Sequence, residues 1–209
     1  VNLRVLKTSL QLPSSTTLLF DIDQFSFAAN QSYLIEGPSG SGKTSFLHSL
    51  AGLVPVKSDG IFYQDIDILK LSLSERADFR QKKMGLIFQK LSLIDHFTAL
   101  ENIMLDPVSE ADAHSALSLL QIKDKADMIV SRLSLGEQQR VAIARVLAKK
   151  PEIILADEPT SSLDDKNAEL VIENLKKISA GKLLIVVSHD HRLKPHFKNN
   201  LTLSEGRLR

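Results

Sequence analysis

Three of the chain's 9 glycines fall inside the run Gly37-Pro38-Ser39-Gly40-Ser41-Gly42-Lys43-Thr44. These residues fit G-x-x-x-x-G-K-[ST], the P-loop pattern. Glycine permits backbone conformations that a Cβ forbids, so successive N–H groups can converge on one anion. Lys43 adds a mobile cation for the β- and γ-phosphates, and the Thr44 hydroxyl is an oxygen donor suited to Mg²⁺. The flanks agree with the motif. Tyr33–Glu36 reads as a short strand, while Phe46, Leu47, Leu50 and Leu53 recur at helical spacing. A helix N-terminus behind the loop adds partial positive charge. The chemistry predicted here is nucleotide phosphate binding.

Two apolar runs also end in chemistry. Ile153–Ala156 leads into Asp157 and Glu158, and Leu183–Val187 leads into Ser188 and His189. Continuous apolar strands of this kind are covered on both faces, and open parallel sheets bind ligands beyond their carboxyl ends. An apolar strand ending in aspartate is the Walker B pattern, whose carboxylate holds Mg²⁺ in P-loop enzymes. Glu158 beside it is suited to polarise an attacking water. Alone, the pair would read as a solvated turn before Pro159; the upstream P-loop reverses that preference. A third stretch, Leu133–Arg140, places Ser134 and Glu137 as a capping box opening a helix through Lys149. A helix start with a small polar cap and Gly136 is also an anion site.

These groups need an α/β frame. The 209 residues suffice for one large domain or one domain with an inserted lobe, and 43% apolar content is globular. A net charge of +1, with both signs interspersed, gives no bulk reason to expect nucleic acid. No cysteine is present, which excludes disulfides, Cys-based zinc sites and thiol catalysis. No run approaches the ~18 apolar residues of a spanning helix, and the opening residues lack a signal-peptide core.

Residues 1–36 read as antiparallel strands, with Leu6, Thr8, Leu10 and Leu12 alternating before a break at Pro13–Thr17. Phe20, Ile22, Phe25 and Phe27 form a second set. Ile61–Tyr63 follows the Asp59-Gly60 turn, Ser72–Glu75 caps a charged helix through about Lys82, and Gly85–Phe88 is a strand ending at Gln89. Residues 91–150 read as mainly helical, with Ala113, Ala116, Leu117 and Leu120 on one face. After Ile153–Ala156 come a helix over Asp165–Ser179, the strand Leu183–Val187, and a last hairpin strand near Leu201–Leu203 and Gly206. The expected fold is a P-loop core with a mainly parallel sheet, an antiparallel N-terminal β-subdomain and an inserted helical subdomain. The whole of 1–209 forms one unit, with 1–90 and 151–209 as core and about 91–150 as the helical part.

In order along the chain, these motifs resemble those of ATP-binding-cassette (ABC) transporter ATPase subunits over essentially its full length. Gly37–Thr44 matches Walker A, Gln89 the Q-loop glutamine, Leu133–Glu137 the signature, and Ile153–Glu158 Walker B. Ser161-Ser162-Leu163-Asp164 matches the D-loop and His189 the switch histidine. The resemblance implies ATP and Mg²⁺ as cofactors and a head-to-tail dimer, a homodimer by default, holding two ATP between Walker A of one copy and the signature of the other. It implies nucleotide contacts from Gly37, Pro38, Ser39, Gly40, Ser41, Gly42, Lys43, Thr44, Ser45 and Gln89, with Ser134, Gly136, Glu137 and Asp164 acting across the interface. Thr44, Gln89 and Asp157 would serve the metal, and Lys43, Glu158 and His189 catalysis. A separate integral membrane permease would dock on about residues 89–103, with Leu91, Leu93, Ile94 and Phe97 as apolar anchors. The chain would then sit in the cytoplasm against the inner face of the membrane, with no nucleic-acid partner.

Three departures stand out. Leu135 and Glu137 alter the usual L-S-G-G-Q signature, leaving Ser134 and Gly136. No aromatic residue lies near Leu10–Pro13 to stack on adenine, and the helical lobe is short. The run Leu71–Asn102 is most similar to the subgroup of lipoprotein-release, macrolide-export and cell-division ATPases. Two readings follow: a motor driving transport, or a nucleotide-switched regulatory ATPase of the cell-division type.

Overall fold

The computed structural model describes residues 2–11, 18–161 and 163–209. The N-terminal part is antiparallel: β1 (Leu3–Val5), β2 (Thr8–Gln11), β3 (Leu18–Ile22) and β4 (Phe25–Phe27). β5 (Ser32–Glu36) leads to α1 (Lys43–Leu50). Then come β6 (Lys57–Ser58), β7 (Ile61–Tyr63), β8 (Ile66–Asp67), α2 (Leu73–Lys83) and β9 (Met84–Ile87). The helical stretch holds α3 (Ala99–Met104), α4 (Glu110–Leu119) and α5 (Leu135–Ala148). β10 (Ile153–Asp157), α6 (Asp165–Ile178), β11 (Leu183–Val187), β12 (Asn199–Ser204) and β13 (Arg207–Leu208) complete the chain.

The central sheet runs β13-β12-β5-β11-β10-β9. Its five inner and far strands are parallel, and β13 adds an antiparallel edge. Two smaller antiparallel sheets, β4-β1-β7-β8 and β3-β2-β6, form the N-terminal layer.

Strand periodicity explains why β5, β10 and β11 are apolar throughout. Leu34, Ile154, Ala156, Leu184 and Val186 enter one hydrophobic cluster with residues of α3, α4, α5 and α6. Their neighbours Ile35, Ile153, Leu155, Ile185 and Val187 enter a second cluster with α1 and the antiparallel layer. Side chains alternate across a strand, so a sheet covered twice needs apolar residues at every position. Ala113, Ala116, Leu117 and Leu120 are buried in the first of these clusters, so the helical stretch shares its core with the sheet.

Several local expectations need correction. Residues 32–36 are not part of an antiparallel set; β5 pairs in parallel with β11 and β12. Leu6 lies between β1 and β2 instead of within a strand, its N–H bonded to Gly60 O at 2.9 Å. Leu53 lies beyond the end of α1 at Ala51 and is exposed. Leu12 and the break at Pro13–Thr17 lie outside the described residues.

Candidate nucleotide site

α1 starts unlike the other α-helices among the described residues. Reciprocal capping boxes open α2 (Ser72/Glu75), α3 (Thr98/Glu101) and α5 (Ser134/Glu137), and the side chains of Ser109 and Asp164 cap α4 and α6. α1 has Gly42 at its N-cap with no side-chain hydrogen bond there. Its first-turn N–H groups thus lack a side-chain acceptor, the condition for taking an external anion. Gly40 and Gly42 have φ of 79° and 93°. A Cβ on Gly42 would lie 2.8 Å from the Leu19 side chain, so glycine is required for conformation and for space. Lys43 folds into the loop, its Nζ donating to Gly37 O at 2.8 Å and Pro38 O at 3.0 Å. The Ser41 hydroxyl is buried there without a partner.

One residue into α1, Thr44 Oγ1 donates to Asp157 Oδ1 at 3.0 Å. One turn on, His48 Nε2 lies 3.8 Å from Asp157 Oδ2, and its ring stands edge-on to Phe88 at 5.5 Å. Burial pushes the Asp157 carboxyl up; the Thr44 hydrogen bond and His48 offset part of that. Among the described residues no group of three or more His, Asp or Glu is arranged to hold a metal. Mg²⁺ does not need one, because it takes one or two protein oxygens and completes its shell with phosphate and water. The adjacent Thr44 hydroxyl and Asp157 carboxylate fit that requirement.

Glu158 follows with φ of 47°, a left-handed conformation unusual for a residue with a Cβ. There its carboxylate accepts from Ser188 Oγ at 2.6 Å and from the His189 N–H at 3.1 Å. His189 Nδ1 is 2.7 Å from Oε1. Thus β10 and β11, adjacent and parallel, bring their carboxyl-end residues into direct contact. An open cleft of about 410 Å³ is lined by Leu19, Ser39, Gly40, Gly42, Lys43, Thr44, Ser45, Gln89, Glu158 and His189. No Phe or Tyr is among the described residues that line it. Leu12 and Pro13, in the stretch expected to lack an adenine-stacking aromatic, lie outside the described residues.

Of the predicted residues, Ser39, Gly40, Gly42, Lys43, Thr44, Ser45, Gln89, Glu158 and His189 line the cleft, whereas Gly37, Pro38 and Ser41 belong to the loop and Asp157 to the end of β10 without lining it. Ser134, Gly136, Glu137 and Asp164 do not line this cleft; they cluster where α5 and α6 begin. Ser134 Oγ accepts the Glu137 N–H at 3.3 Å and donates to Glu137 Oε2 at 2.9 Å. The backbone hydrogen bond from Ser134 leads in holding the Glu137 carboxyl below its usual range. A Cβ on Gly136 would fall 2.5 Å from Asn167 Oδ1. Asn167 in turn donates to Asp164 through its backbone N–H at 2.9 Å and its Nδ2 at 2.7 Å. Gly136 therefore serves close packing between two helix starts, besides anything it offers a ligand. Asn167 carried no sequence signal, because only the packing of α5 on α6 gives it a role.

Sequence reasoning also missed Thr160, Asp190 and Arg192. Thr160 Oγ1 donates to Asp190 Oδ2 at 2.6 Å, and Arg192 grips the same carboxylate. Asp190 directly follows His189, yet its partner Thr160 is 30 positions away, and spacing alone could not join them.

An uncapped helix behind a glycine loop, set at the carboxyl ends of parallel strands beside a buried aspartate, defines a P-loop nucleotide-binding α/β protein. Comparison with known proteins narrows this class. The sequence model of the ABC transporter family matches residues 20–161, and the chain belongs to that family. The lipoprotein-releasing system ATP-binding protein LolD of Shewanella oneidensis is 35% identical over 204 residues, 93% of this chain and 88% of the relative. The ATP-binding cassette MJ0796, solved as a dimer in a post-hydrolysis state with ADP and Pi, matches with a TM-score of 0.88 at 30% identity. That match covers 100% of this chain and 96% of the other. A cbiO1 structure from Clostridium perfringens, part of the ABC transporter complex cbiONQ, matches in fold with a TM-score of 0.88 at 23% identity, over 99% of this chain and 86% of that one. The motifs and the fold they imply are thus those of an ABC-type ATP-binding subunit.

Proposed function

We propose that residues 1–209 act as one ATPase unit that dimerises head-to-tail around two ATP and drives a separate membrane subunit. In this division, 1–90 and 151–209 are the core and about 91–150 the helical subdomain. The observation that carries the reading is the split site: loop residues, Gln89, Glu158 and His189 line one cleft, with Asp157 joined to it through Thr44, while Ser134, Gly136, Glu137 and Asp164 lie apart at two helix starts. A second copy would bring the absent half to each cleft. The dimeric cassette with ADP and Pi supports that geometry.

The backbone N–H groups of the loop, Pro38 having none to give, and the Lys43 ammonium hold the phosphates, with Gly37, Pro38, Ser39, Gly40, Ser41, Gly42 and Ser45 shaping the loop. Thr44, Asp157 and Gln89 would hold Mg²⁺, which supplies charge neutralisation on the β- and γ-phosphate oxygens. Glu158, held by Ser188 and the His189 backbone at the end of β10, is the carboxylate suited to orienting a water for in-line attack. His189, bonded to Glu158 and facing the cleft, reports the γ-phosphate. Ser134 and the Gly136 N–H of the other copy contact that phosphate, with Glu137 and Asp164 at the seam. Catalysis then rests on positioning and charge stabilisation.

The membrane partner would meet the surface after Gln89. Asn102 orders that loop by accepting the Ile94 N–H at 2.7 Å and donating to Ile94 O at 3.1 Å and Thr98 O at 3.0 Å. Leu93 packs on the core, whereas Leu91 and Phe88 line a groove of about 200 Å³ rimmed by Arg80, Arg145 and Lys149. No helix among the described residues is long and apolar enough to cross a membrane, so the anchor would be the partner. The LolD likeness favours a motor of lipoprotein release.

The test is steady-state hydrolysis of MgATP by the purified chain. Glu158→Gln should retain ATP binding and lose about 10²–10⁴-fold in rate, the usual weight of a proton-handling group. An undiminished rate removes Glu158 from the water-directing role.

A further inference from the structure

Arg192 belongs to none of the motifs, yet its guanidinium joins several parts of the site. Nε and one terminal nitrogen grip Asp190, at 2.9 Å to Oδ1 and 2.8 Å to Oδ2. The other terminal nitrogen donates to Asp165 Oδ1 at 2.7 Å and to Leu163 O at 3.3 Å. A further bond reaches Thr160 O at 3.2 Å. Asp190 is itself held by Thr160 Oγ1, and its N–H donates to Ser188 Oγ at 3.0 Å. Ser188 Oγ then donates to Glu158 at 2.6 Å. Hydrogen bonds therefore run unbroken from the Glu158 carboxylate to Arg192 and back to both ends of the loop that carries Asp164.

The turn containing Arg192, His191–His196, is fixed on its other side as well. Lys194 Nζ lies 3.1 Å from Glu36 Oε2, and Glu36 ends β5 directly before Gly37. The turn thus links the strand that feeds the P-loop to the loop between Glu158 and Asp164. The Asp165 arm alone would be an ordinary surface pair of small worth, since that carboxylate is 96% exposed. The bidentate grip on Asp190, together with two backbone carbonyls, is different: a planar fork satisfied from several directions fixes geometry in a way an ammonium cannot.

We propose that Arg192 is a positioning residue for ATP hydrolysis, clamping the Glu158–Asp164 loop to the His189 turn. It holds the water-directing carboxylate and the dimer-facing Asp164 in one arrangement. The inference rests on the ATPase reading above. Arg192 touches none of the groups that hold nucleotide, so the clamp governs turnover and pairing instead of binding.

Full-length wild type, Arg192→Ala, Arg192→Lys and Thr160→Val are compared for kcat, KM, MgATP Kd by calorimetry and thermal midpoint. Arg192→Ala and Thr160→Val are also placed in the Glu158→Gln background, where ATP-dependent dimer is read by gel filtration. Arg192→Ala should lose about tenfold or more in kcat, as expected for a displaced reacting group, while Kd stays within about twofold. Its Glu158→Gln form should dimerise more weakly. Arg192→Lys keeps the charge without the fork and should recover about a third of the rate or less. Unchanged kcat in Arg192→Ala overturns the proposal, as does a fall in kcat matched by equal falls in ATP affinity and thermal midpoint. Should Arg192→Ala fail to fold, Arg192→Lys and Thr160→Val decide: wild-type kcat in both overturns it, and reduced kcat at unchanged Kd supports it. A wild type that hydrolyses no ATP overturns the underlying reading and the clamp with it. An active wild type with an unaffected Arg192→Ala overturns the clamp alone.

Discussion

Asp157 and Asp190 sit close to the same strand ends, and burial pushes the carboxyl of each upward. Their hydrogen-bond partners decide the outcome. Asp157 has the Thr44 hydroxyl and a distant His48, and stays raised. Asp190 has Arg192 and Thr160, which outweigh burial and bring it down to about 2. The two therefore contribute to stability with opposite sign. Asp157 binds its proton more tightly when folded, so its contribution is present at low pH and lost as pH rises through its folded value. Asp190 contributes above its unfolded value and loses that contribution as pH falls toward about 2. Replacing Asp157 with Asn keeps an acceptor for Thr44 and removes the buried charge. Nucleotide-free Asp157→Asn should melt about 2–4 °C above wild type at pH 7, the span that about 1 kcal/mol covers in a chain of this size. The same variant should hydrolyse MgATP poorly. Calorimetric melting from pH 7 to pH 4 checks the sign, because the difference should shrink as pH falls.

At the scale of elements, helix starts differ in how their first turns are satisfied. α1 leaves its first turn uncapped behind a glycine loop, whereas α5 and α6 satisfy theirs internally through Ser134, Glu137 and Asp164. Gly136 lets those two starts approach, and Asn167 occupies the place where its Cβ would be. Gly136→Ala must turn Asn167 away from Asp164, at a cost of about 1–3 kcal/mol by analogy with overpacked cores. Chemical denaturation should show that loss, and Asn167→Ala in the same chain should recover most of it. Full additivity of the two substitutions would mean that the contact does not couple them.

For the whole molecule, the consequence of this division is that one chain holds one half of each of the two proposed ATP sites: a cleft for one and a cap for the other, which do not meet. Leu135 beside the cap is an apolar side chain 48% exposed in the single chain. In the Glu158→Gln background, Ser134→Tyr should leave ATP binding by the monomer unchanged. It should weaken the ATP-dependent dimer about tenfold to a hundredfold, as loss of a charge-assisted hydrogen bond worth about 1.5–3 kcal/mol predicts. Gel filtration over a concentration series measures it; an unaltered dimer would place the signature elsewhere.

The family was legible in the sequence from the order of its motifs, and the candidate site residues from local rules. A glycine loop must precede a helix, a twice-covered strand must be apolar at every position, and a capping box spans three residues. Lys43, Asp157, Glu158 and His189 could be named on those grounds. Other features depend on contacts between distant segments. The pairing of β5 in parallel, the contact between Glu158 and His189, the seat of Asn167 against Gly136 and the grip of Arg192 on Thr160, Leu163 and Asp165 join residues that carry no shared local pattern. The sequence by itself determined which chemistry the chain carries, since residue type and short-range spacing specify donors, acceptors and turns. Only the tertiary structure decided which of those groups meet, since that depends on strand order and on helices packing across tens of residues.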